Sequence, residues 1–435
     1  MDFSVEPEFQ AKLDWMLDFV KRECEPLDLL FPKHGDPYDT SSPVRNAIIK
    51  PLQAEVKRQG LWACHLDPHH GGQGFGQLKL ALMNEILGRS HWASTVFGTA
   101  APDTGNAEIL AMFGTEEQKS RYLQPLLDGE IVSCFSMTEP QAGADPKEFT
   151  CRAYQEGDEW VIEGEKWFSS NARYAAFLLV LAVTDPEASP YRRMSIFVVP
   201  ADAPGIEILR NTGTIGDDIT RDEGSHAYLR YNRVRVPKDA MLGGPGMGFE
   251  VAQARLGGGR IHHAMRAVGI SQCALDMMLE RARSRHSQGK ELSQHQMVQT
   301  MIADSAIELE MLRLLVLKTA WIIDNSPHGA ARKHIAMCKV EMAKVLHDIV
   351  RRAIQIYGSY GVSNETPLAR MWQDSLTMGL ADGPTEVHKV QVAKAMLKDV
   401  KPYEGLFPPE HIPDRLAAAR AKYAHILDGR TSEAA

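Results

Sequence analysis

The spacing of apolar residues changes twice along this 435-residue chain, and those two changes constrain the fold more than any single motif. Up to about residue 130 the spacing is helical, in Phe9 to Val20, Val44 to Gln59, Leu78 to Leu87 and Ala107 to Phe113. Alternation then takes over: Thr150 to Tyr154, Trp160 to Ser169, Phe177 to Val183, Met194 to Val199, Ile206 to Leu209 and Ala227 to Val236 read as strands. Helical spacing returns in Phe249 to Arg285, Gln294 to Asp324, Ala331 to Tyr357, Leu368 to Leu380 and Thr385 to Lys398, with Ile335, Met342, Ile349 and Ile356 on one face. The pattern predicts an α+β protein in three units. These are an N-terminal α-helical domain (1–130), a middle antiparallel β domain (131–240) and a C-terminal four-helix bundle (241–400). At 44% hydrophobic, a chain of this length can bury more than one core. A Pro-rich tail (401–435) ends in an amphipathic segment, Leu416 to Leu427, that reads as a docking or interface helix.

Charge and composition exclude several functions. Lys and Arg number 48 against 56 Asp and Glu, with no basic run, so nucleic acid is not an expected partner. The longest apolar run, Ala175 to Val183, is too short to span a bilayer, so no integral membrane segment is expected. The acidic start MDFSVEPEF lacks an apolar stretch, which predicts no signal or transit peptide and a cytosolic protein. Six scattered cysteines without a CxxC pair predict reduced core residues, not a disulfide framework or a zinc site. The loop PHHGGQGFG (68–76) fits no nucleotide motif and reads as a tight turn between helices. Its His69 and His70 lack a HExxH pattern or a carboxylate at ligand spacing, and read as exposed loop histidines. Thr115 to Gln118 has the form of a capping box opening a helix that ends near Gly129. Asp217 to Glu223 reads as a solvated acidic loop.

Three stretches carry candidate chemistry. In CFSMTEPQAGAD (134–145) an apolar strand is broken by Pro140 and Gly143, so Met137, Thr138 and Gly143 fall where strand becomes turn and backbone amides are left facing outward. In WVIEGEKWFSSNA (160–172) a hairpin turn at Glu156 to Asp158 precedes an aromatic pair and two hydroxyls. A flavin needs that combination, because the isoalloxazine has a large apolar face and a hydrogen-bonding edge. Gly257-Gly258-Gly259 sits inside a long helix, where each glycine costs about 1 kcal/mol relative to alanine. A ligand lying on the helix and a tight helix crossing explain that triplet equally well. His262 and His263, adjacent and therefore splayed, are not expected to chelate a metal together.

The Met-Thr-Glu-Pro string followed by Gly, a small residue and Asp resembles the flavin-binding signature of the acyl-CoA dehydrogenases, and matching segments run in order from the PHHGG loop to Lys398. The resemblance implies that family's fold, FAD as cofactor, an acyl-CoA substrate and a place in fatty acid β-oxidation. It puts Phe135, Met137, Thr138, Gly143, Phe168 and Ser170 at the flavin, with Phe168 where most members carry Trp. Ala144, Gly383 and Arg260 fall at the acyl-CoA, Arg260 near the thioester end, and Pro384 and Glu386 at the cofactor. Arg285, Ser287, Gln288 and Gln296 resemble a segment that reaches the FAD pyrophosphate of a neighbouring subunit, and Gln355, Gly358 and Ser359 a loop holding its adenylate end. A homodimer or homotetramer with a shared FAD site, passing electrons to an electron-transfer flavoprotein, is thereby implied.

In most members the base that removes the α-proton is the Glu of a Tyr-Glu-Gly-Thr string, and Ala381-Asp382-Gly383-Pro384 replaces it here. Asp382 is the expected base, with a helix cap as its structural alternative. A helix N-terminus would weaken that base and an apolar pocket would strengthen it. Members that carry the base on the bundle helix do so at the position matching Gly259, where none is available. The pair RLGGGRIHH and ADGPTEVH looks most like a branch found in eukaryotes fused to a phosphotransferase-like domain and linked to long or hydroxylated acyl chains; these 435 residues hold no such domain. The expected reaction is α,β-dehydrogenation to the trans-2-enoyl-CoA. The alternatives are a nitroalkane oxidase-like flavoenzyme, which also uses an Asp base, and a catalytically silent flavin- or acyl-CoA-binding protein.

Overall fold

The computed structural model describes residues 3–32, 36–70, 72–217, 224–327 and 329–431. Gly71 of the PHHGG loop and all but Asp217 of the 217–223 acidic stretch lie outside the described residues. The chain falls into two units, 1–392 and 393–435.

In the larger unit, the N-terminal helices are α1 (Pro7–Phe19), α2 (Glu25–Leu30), α3 (Pro43–Arg58), α4 (Gly76–Leu87), α5 (His91–Val96), α6 (Asp103–Phe113), α7 (Glu116–Gln118) and α8 (Gln124–Leu127). The Thr115 capping box is present in both directions, Thr115 Oγ accepting from Gln118 N and the Gln118 side chain accepting from Thr115 N. The helix it opens passes through a π-helical segment, Lys119–Leu123, before α8.

The strands are β1 (Ser133–Ser136), β2 (Arg152–Glu156), β3 (Glu159–Ser170), β4 (Phe177–Val183), β5 (Met194–Pro200), β6 (Ile206–Thr212), β7 (His226–Pro237) and β8 (Met241–Leu242), in the order β6-β7-β3-β2-β4-β5-β8 with β1 beside β4. The sheet is antiparallel as expected except at two places. β1 pairs with β4 in parallel, and β2 meets β4 in parallel at Arg152↔Val183. Both faces of β4 are covered, so all seven of its residues are buried. One apolar cluster joins α6 and α8 to one face (Ile109, Leu126, Phe177, Leu179), and another fills the other face (Leu178, Val180, Phe197, Leu229).

The long helices follow: α9 (Gly248–Ser284), a small hairpin of β9 (His286–Ser287) and β10 (Lys290–Glu291), α10 (Gln296–Asn325), α11 (Arg332–Tyr357), α12 (Leu368–Met378) and α13 (Thr385–Leu397). The N-terminal helices and the bundle share one core, in which Phe9, Met16 and Met83 join the same cluster as Met265, Val316 and Met342. A sequence periodicity shows that a face is buried, not which partner buries it. The six cysteines are free and buried. Among the described residues no helix is long and apolar enough to cross a membrane, and no group of three metal-binding side chains is found. His70 does have a carboxylate nearby: its Nδ1 lies 3.0 Å from Asp67. In the smaller unit, the segment expected as one helix over Leu416 to Leu427 is two, α14 (Ile412–Lys422) and α15 (Ala424–Thr431).

Candidate active site

Arg255, Gly259, His263 and Arg266 recur at i, i+4, i+8 and i+11 along α9 and therefore share a face. Opposite them lies the turn between α12 and α13, which is tied down at both ends. Lys339 of α11 donates to the Met378 carbonyl, and Thr385 N donates to the Gly379 carbonyl at 3.0 Å. Between these ties Asp382 is held at φ +57° and Gly383 at +107°. Asp is among the few residues that tolerate the left-handed region, at a cost of about 1 kcal/mol. The Asp382 carbonyl accepts from Arg260 Nε at 2.9 Å and lies 3.4 Å from His388 Nε2, so the strained residue is fixed from two helices.

The Asp382 side chain turns back toward α9. Its Oδ2 lies 3.4 Å from His263 Nε2 and its Oδ1 3.9 Å from Arg255 Nη1. Helix α13 starts three residues later, and the carboxylate's contacts are to α9, not to that helix's amides, which speaks against the cap alternative. Burial pushes the Asp382 pKa up, but His263, Arg255 and Arg260 outweigh it and hold the carboxyl well below the usual carboxylate range. The Asp382 carboxyl is thus held down by side chains of α9, a cause the sequence reading did not contain.

The glycine triplet also acquires a reason. A Cβ at Gly259 would stand 2.9 Å from Asp382 Oδ2, one at Gly258 2.7 Å from Glu108 Oε2, and one at Gly257 would meet nothing within 4 Å. Two of the three glycines make room for carboxylates. Glu108 of α6 is pushed up to about 8 by burial, against the pull of Arg255.

Arg255 is the residue that sequence reasoning missed. Its guanidinium is buried, lies 4.1 Å from the centroid of the Phe135 ring and donates through Nε to Asn106 Oδ1 at 3.0 Å. Asn106 in turn donates to Ser133 Oγ at 2.8 Å, and Ser133 donates through N and Oγ to Asp103 Oδ1 at 2.8 and 2.6 Å. This chain couples α6, β1 and α9. The signal was present in the four-residue spacing of Arg255, Gly259 and His263, a polar stripe on an otherwise buried helix.

A cavity of about 280 Å³ opens beside Asp382. Its walls include Phe31, Trp92 and Pro102 but also Tyr38, His91, Asn171 and Arg370, so the lining is mixed, apolar with several polar groups. Of the sequence-predicted residues, Asp382 and Ser170 line it, Phe135 lies beneath Arg255, and Arg260 and Gly383 are held at the Asp382 turn.

The two strand motifs meet at the far end of the sheet. Trp167 N donates to the Thr138 carbonyl at 2.9 Å, and Thr138 Oγ1 bonds back to the Trp167 carbonyl. A register shift between Trp167 and Ser169 leaves Phe168 unpaired, with φ +59° and a 45% exposed ring. A bulge re-aims a side chain in just this way. Beside it Ser170 Oγ lies 2.8 Å from His226 Nδ1. Met137 is half-buried, and Gly143 and Ala144 are exposed.

Arg285, Ser287 and Gln288 lie exposed between α9 and α10, Gln296 lies exposed at the first position of α10, and Gln355, Gly358 and Ser359 lie exposed at the end of α11. The two segments are neighbours: Arg281 stacks on Tyr357 at 5.4 Å and Tyr360 at 5.7 Å, while its Nε is buried without a hydrogen-bond partner. Pro384 and Glu386 open α13. The presented aromatic face, the adjacent hydroxyl and the unpartnered arginine nitrogen fit a flavin dinucleotide.

Residues 7–130, 134–231 and 246–397 match the family models of the acyl-CoA dehydrogenase N-terminal, middle and C-terminal domains. Three matches in chain order place the protein among the flavoprotein oxidoreductases. It belongs to the acyl-CoA dehydrogenase family. It is 40% identical over 404 residues to FadE2 of Mycobacterium tuberculosis, described as a probable acyl-CoA dehydrogenase, covering 92% of this chain and 94% of that one. It is 39% identical over 401 residues to acyl-CoA dehydrogenase family member 10 of Mus musculus, covering 90% of this chain but 37% of that relative, so it spans well under half of that animal protein. Among solved structures, butyryl-CoA dehydrogenase from Megasphaera elsdenii superimposes with a TM-score of 0.76 at 29% identity, over 91% of this chain and 100% of that one.

Proposed function

We propose that the protein is an FAD-dependent acyl-CoA dehydrogenase in which Asp382 takes the α-proton of an acyl-CoA thioester as the trans-2-enoyl-CoA forms. The observation that carries this reading is the Asp382 carboxylate, held in a left-handed turn, lining the cavity and seated over Gly259. Backbone strain over-determined by surrounding bonds is a mark of functional sites. FAD, when bound, supplies the acceptor for the hydride that leaves the β-carbon.

Asp382 is ionised throughout the neutral range, and Arg255, Arg260 and Lys339 surround it with positive charge. That charge suits the negative charge that develops on the thioester oxygen as the α-proton leaves. The polar wall of Tyr38, His91, Asn171 and Arg370 suits an acyl group that carries a hydroxyl beyond the reacting carbons. Phe168, Ser170, Met137, Thr138, Phe135 and Gly143 would hold the flavin, and Ala144 and Gly383 the substrate. Pro384 and Glu386 would meet the cofactor. The exposed sets at Arg285, Ser287, Gln288 and Gln296, and at Gln355, Gly358 and Ser359, would serve a partner subunit's FAD in a homodimer or homotetramer. The tail 401–435 would be part of that interface, the domains would divide at 130, 240 and 400, and an electron-transfer flavoprotein would collect the electrons.

One observation favours a second reading. The residue at the turn is an aspartate where most members carry a glutamate, and nitroalkane oxidases of the same fold also use an Asp base. Anaerobic titration of the FAD-loaded protein with acyl-CoAs of several lengths, their hydroxylated counterparts and a nitroalkane separates the readings. Bleaching of the flavin by an acyl-CoA is the expected result. Bleaching by the nitroalkane alone would assign the oxidase chemistry, and a flavin indifferent to all of them would make the protein a binding protein.

A further inference from the structure

His263 has no role in the mechanism so far, yet each of its ring nitrogens faces a charged partner. A guanidinium has donors only, and Arg266 Nη2 lies 3.3 Å from His263 Nδ1. Nδ1 must therefore accept, which leaves the neutral imidazole's proton on Nε2, the nitrogen facing Asp382 Oδ2 at 3.4 Å. Arg266 is itself oriented from another helix: its Nη1 donates to Asn84 Oδ1 at 3.2 Å, and Asn84 is held in α4 by its Nδ2 donating to the Leu80 carbonyl at 3.0 Å. Nothing on α9 blocks the contact, because Gly259, one turn earlier, carries no side chain to reach Oδ2.

We infer that His263 is a positioning residue for Asp382: it donates Nε2–H to Oδ2, keeps that oxygen against α9, and leaves Oδ1 on the Arg255 side to receive the α-proton. The inference rests on the reading of Asp382 as the base. His263 acts as a neutral donor and not as a charge or a proton carrier, since Arg266 occupies the nitrogen that would have to accept a proton. Burial and the positive charge of Arg266 and Lys339 keep it neutral against the attraction of Asp382. The charged and titratable groups facing the pair are Arg255 and Arg260 on α9, Lys339 on α11 and His388 on α13, with Glu108 and Asp103 of α6 acting through Arg255. The arrangement fixes which carboxylate oxygen is the base before any substrate arrives.

Two measurements test this on the full FAD-loaded chain. In histidine-labelled protein, nitrogen and carbon NMR shifts of the His263 ring, assigned by their loss in His263→Gln, should report the Nε2–H tautomer at neutral pH and should move in Asp382→Asn. In stopped-flow bleaching by the preferred acyl-CoA at neutral pH, His263→Ala should slow the limiting rate about tenfold, because the carboxylate is no longer held with Oδ1 toward the α-carbon. Its KM should stay within about twofold, and His263→Gln, which restores an N–H, should recover much of the rate. An Nδ1–H or doubly protonated ring, or a limiting rate unchanged in His263→Ala, would overturn the inference. Retained bleaching in Asp382→Asn with the tautomer and its shift intact would remove the base reading and with it the catalytic role of the contact, while the contact itself would stand.

Discussion

Glu139 and Asp382 are both carboxylates withdrawn from water, and their surroundings could hardly differ more. Glu139 is closed. Its Oε1 accepts from Lys166 Nζ at 2.9 Å and Cys151 N at 3.0 Å, and its Oε2 from Thr150 N at 2.7 Å and Gln141 Nε2 at 2.6 Å. Lys166 then donates to the Met137 carbonyl at 2.7 Å, so one matched charge pair clamps the Met-Thr-Glu-Pro turn to β3. Asp382 is open. It faces more positive charge than it can neutralise, its nearest donors stand at 3.4 and 3.9 Å, and its own backbone is strained. The comparison separates a charge that maintains structure from one left available to act.

The largest effect should come from breaking the closed site. Lys166→Met strands a buried carboxylate and should cost about 3–5 kcal/mol in urea unfolding, with part recovered by adding Glu139→Gln. Acid should sharpen the contrast next. Burial lowers His65 to about 4, with both ring nitrogens unpartnered, and lowers His388 to about 4 as well. The unfolded chain binds these protons first, so stability should fall as pH drops from about 6.5 to 4, by on the order of 3 kcal/mol for His65. His65→Leu should flatten that window in pH-dependent unfolding, while the contribution of Asp382 is lost only below it, as the unfolded chain's carboxyl protonates near its ordinary value of about 3.9.

Gly259→Ala probes the open site. The added Cβ meets Oδ2 at 2.9 Å, so bleaching should slow about 10- to 100-fold, while the melting temperature holds or rises because alanine is worth about 1 kcal/mol in a helix. The smallest effect on stability should follow Phe168→Ala. The ring is exposed, so unfolding should change by about 0.5 kcal/mol or less, and the loss should appear as weaker FAD retention.

The two sites were not equally legible. The switches between helical and alternating spacing place β4 over Phe177–Val183 to the residue and β3, β7 and α9 to within one or two. Helix α5 was overlooked because its six residues are too few for a periodicity to register. The parallel pairing of β1 with β4 brings Ser133 to Phe177, a separation along the chain that no local pattern encodes. At the closed site, Glu139 and Lys166 both lie inside the two strand motifs, but the sequence does not say that they meet. Asp382 was visible because Ala381-Asp382-Gly383-Pro384 stands where most members of the family carry Tyr-Glu-Gly-Thr. Arg255 and His263 share a face by their spacing but were passed over, because an arginine and a histidine on a long helix look like any solvated face until the fold withdraws them from water. The lowered pKa of Asp382 had the same origin, since it depends on His263, Arg255 and Arg260, which only the fold gathers.

The most direct test compares anaerobic flavin bleaching by the preferred acyl-CoA in the native protein and in Asp382→Asn, each with the α-protonated and α-deuterated substrate. Loss of the carboxylate should slow bleaching by about 10²- to 10⁴-fold, and deuteration should slow the native protein. Bleaching of Asp382→Asn at the native rate, with FAD retained, would contradict the account by showing that the proton leaves to some other group.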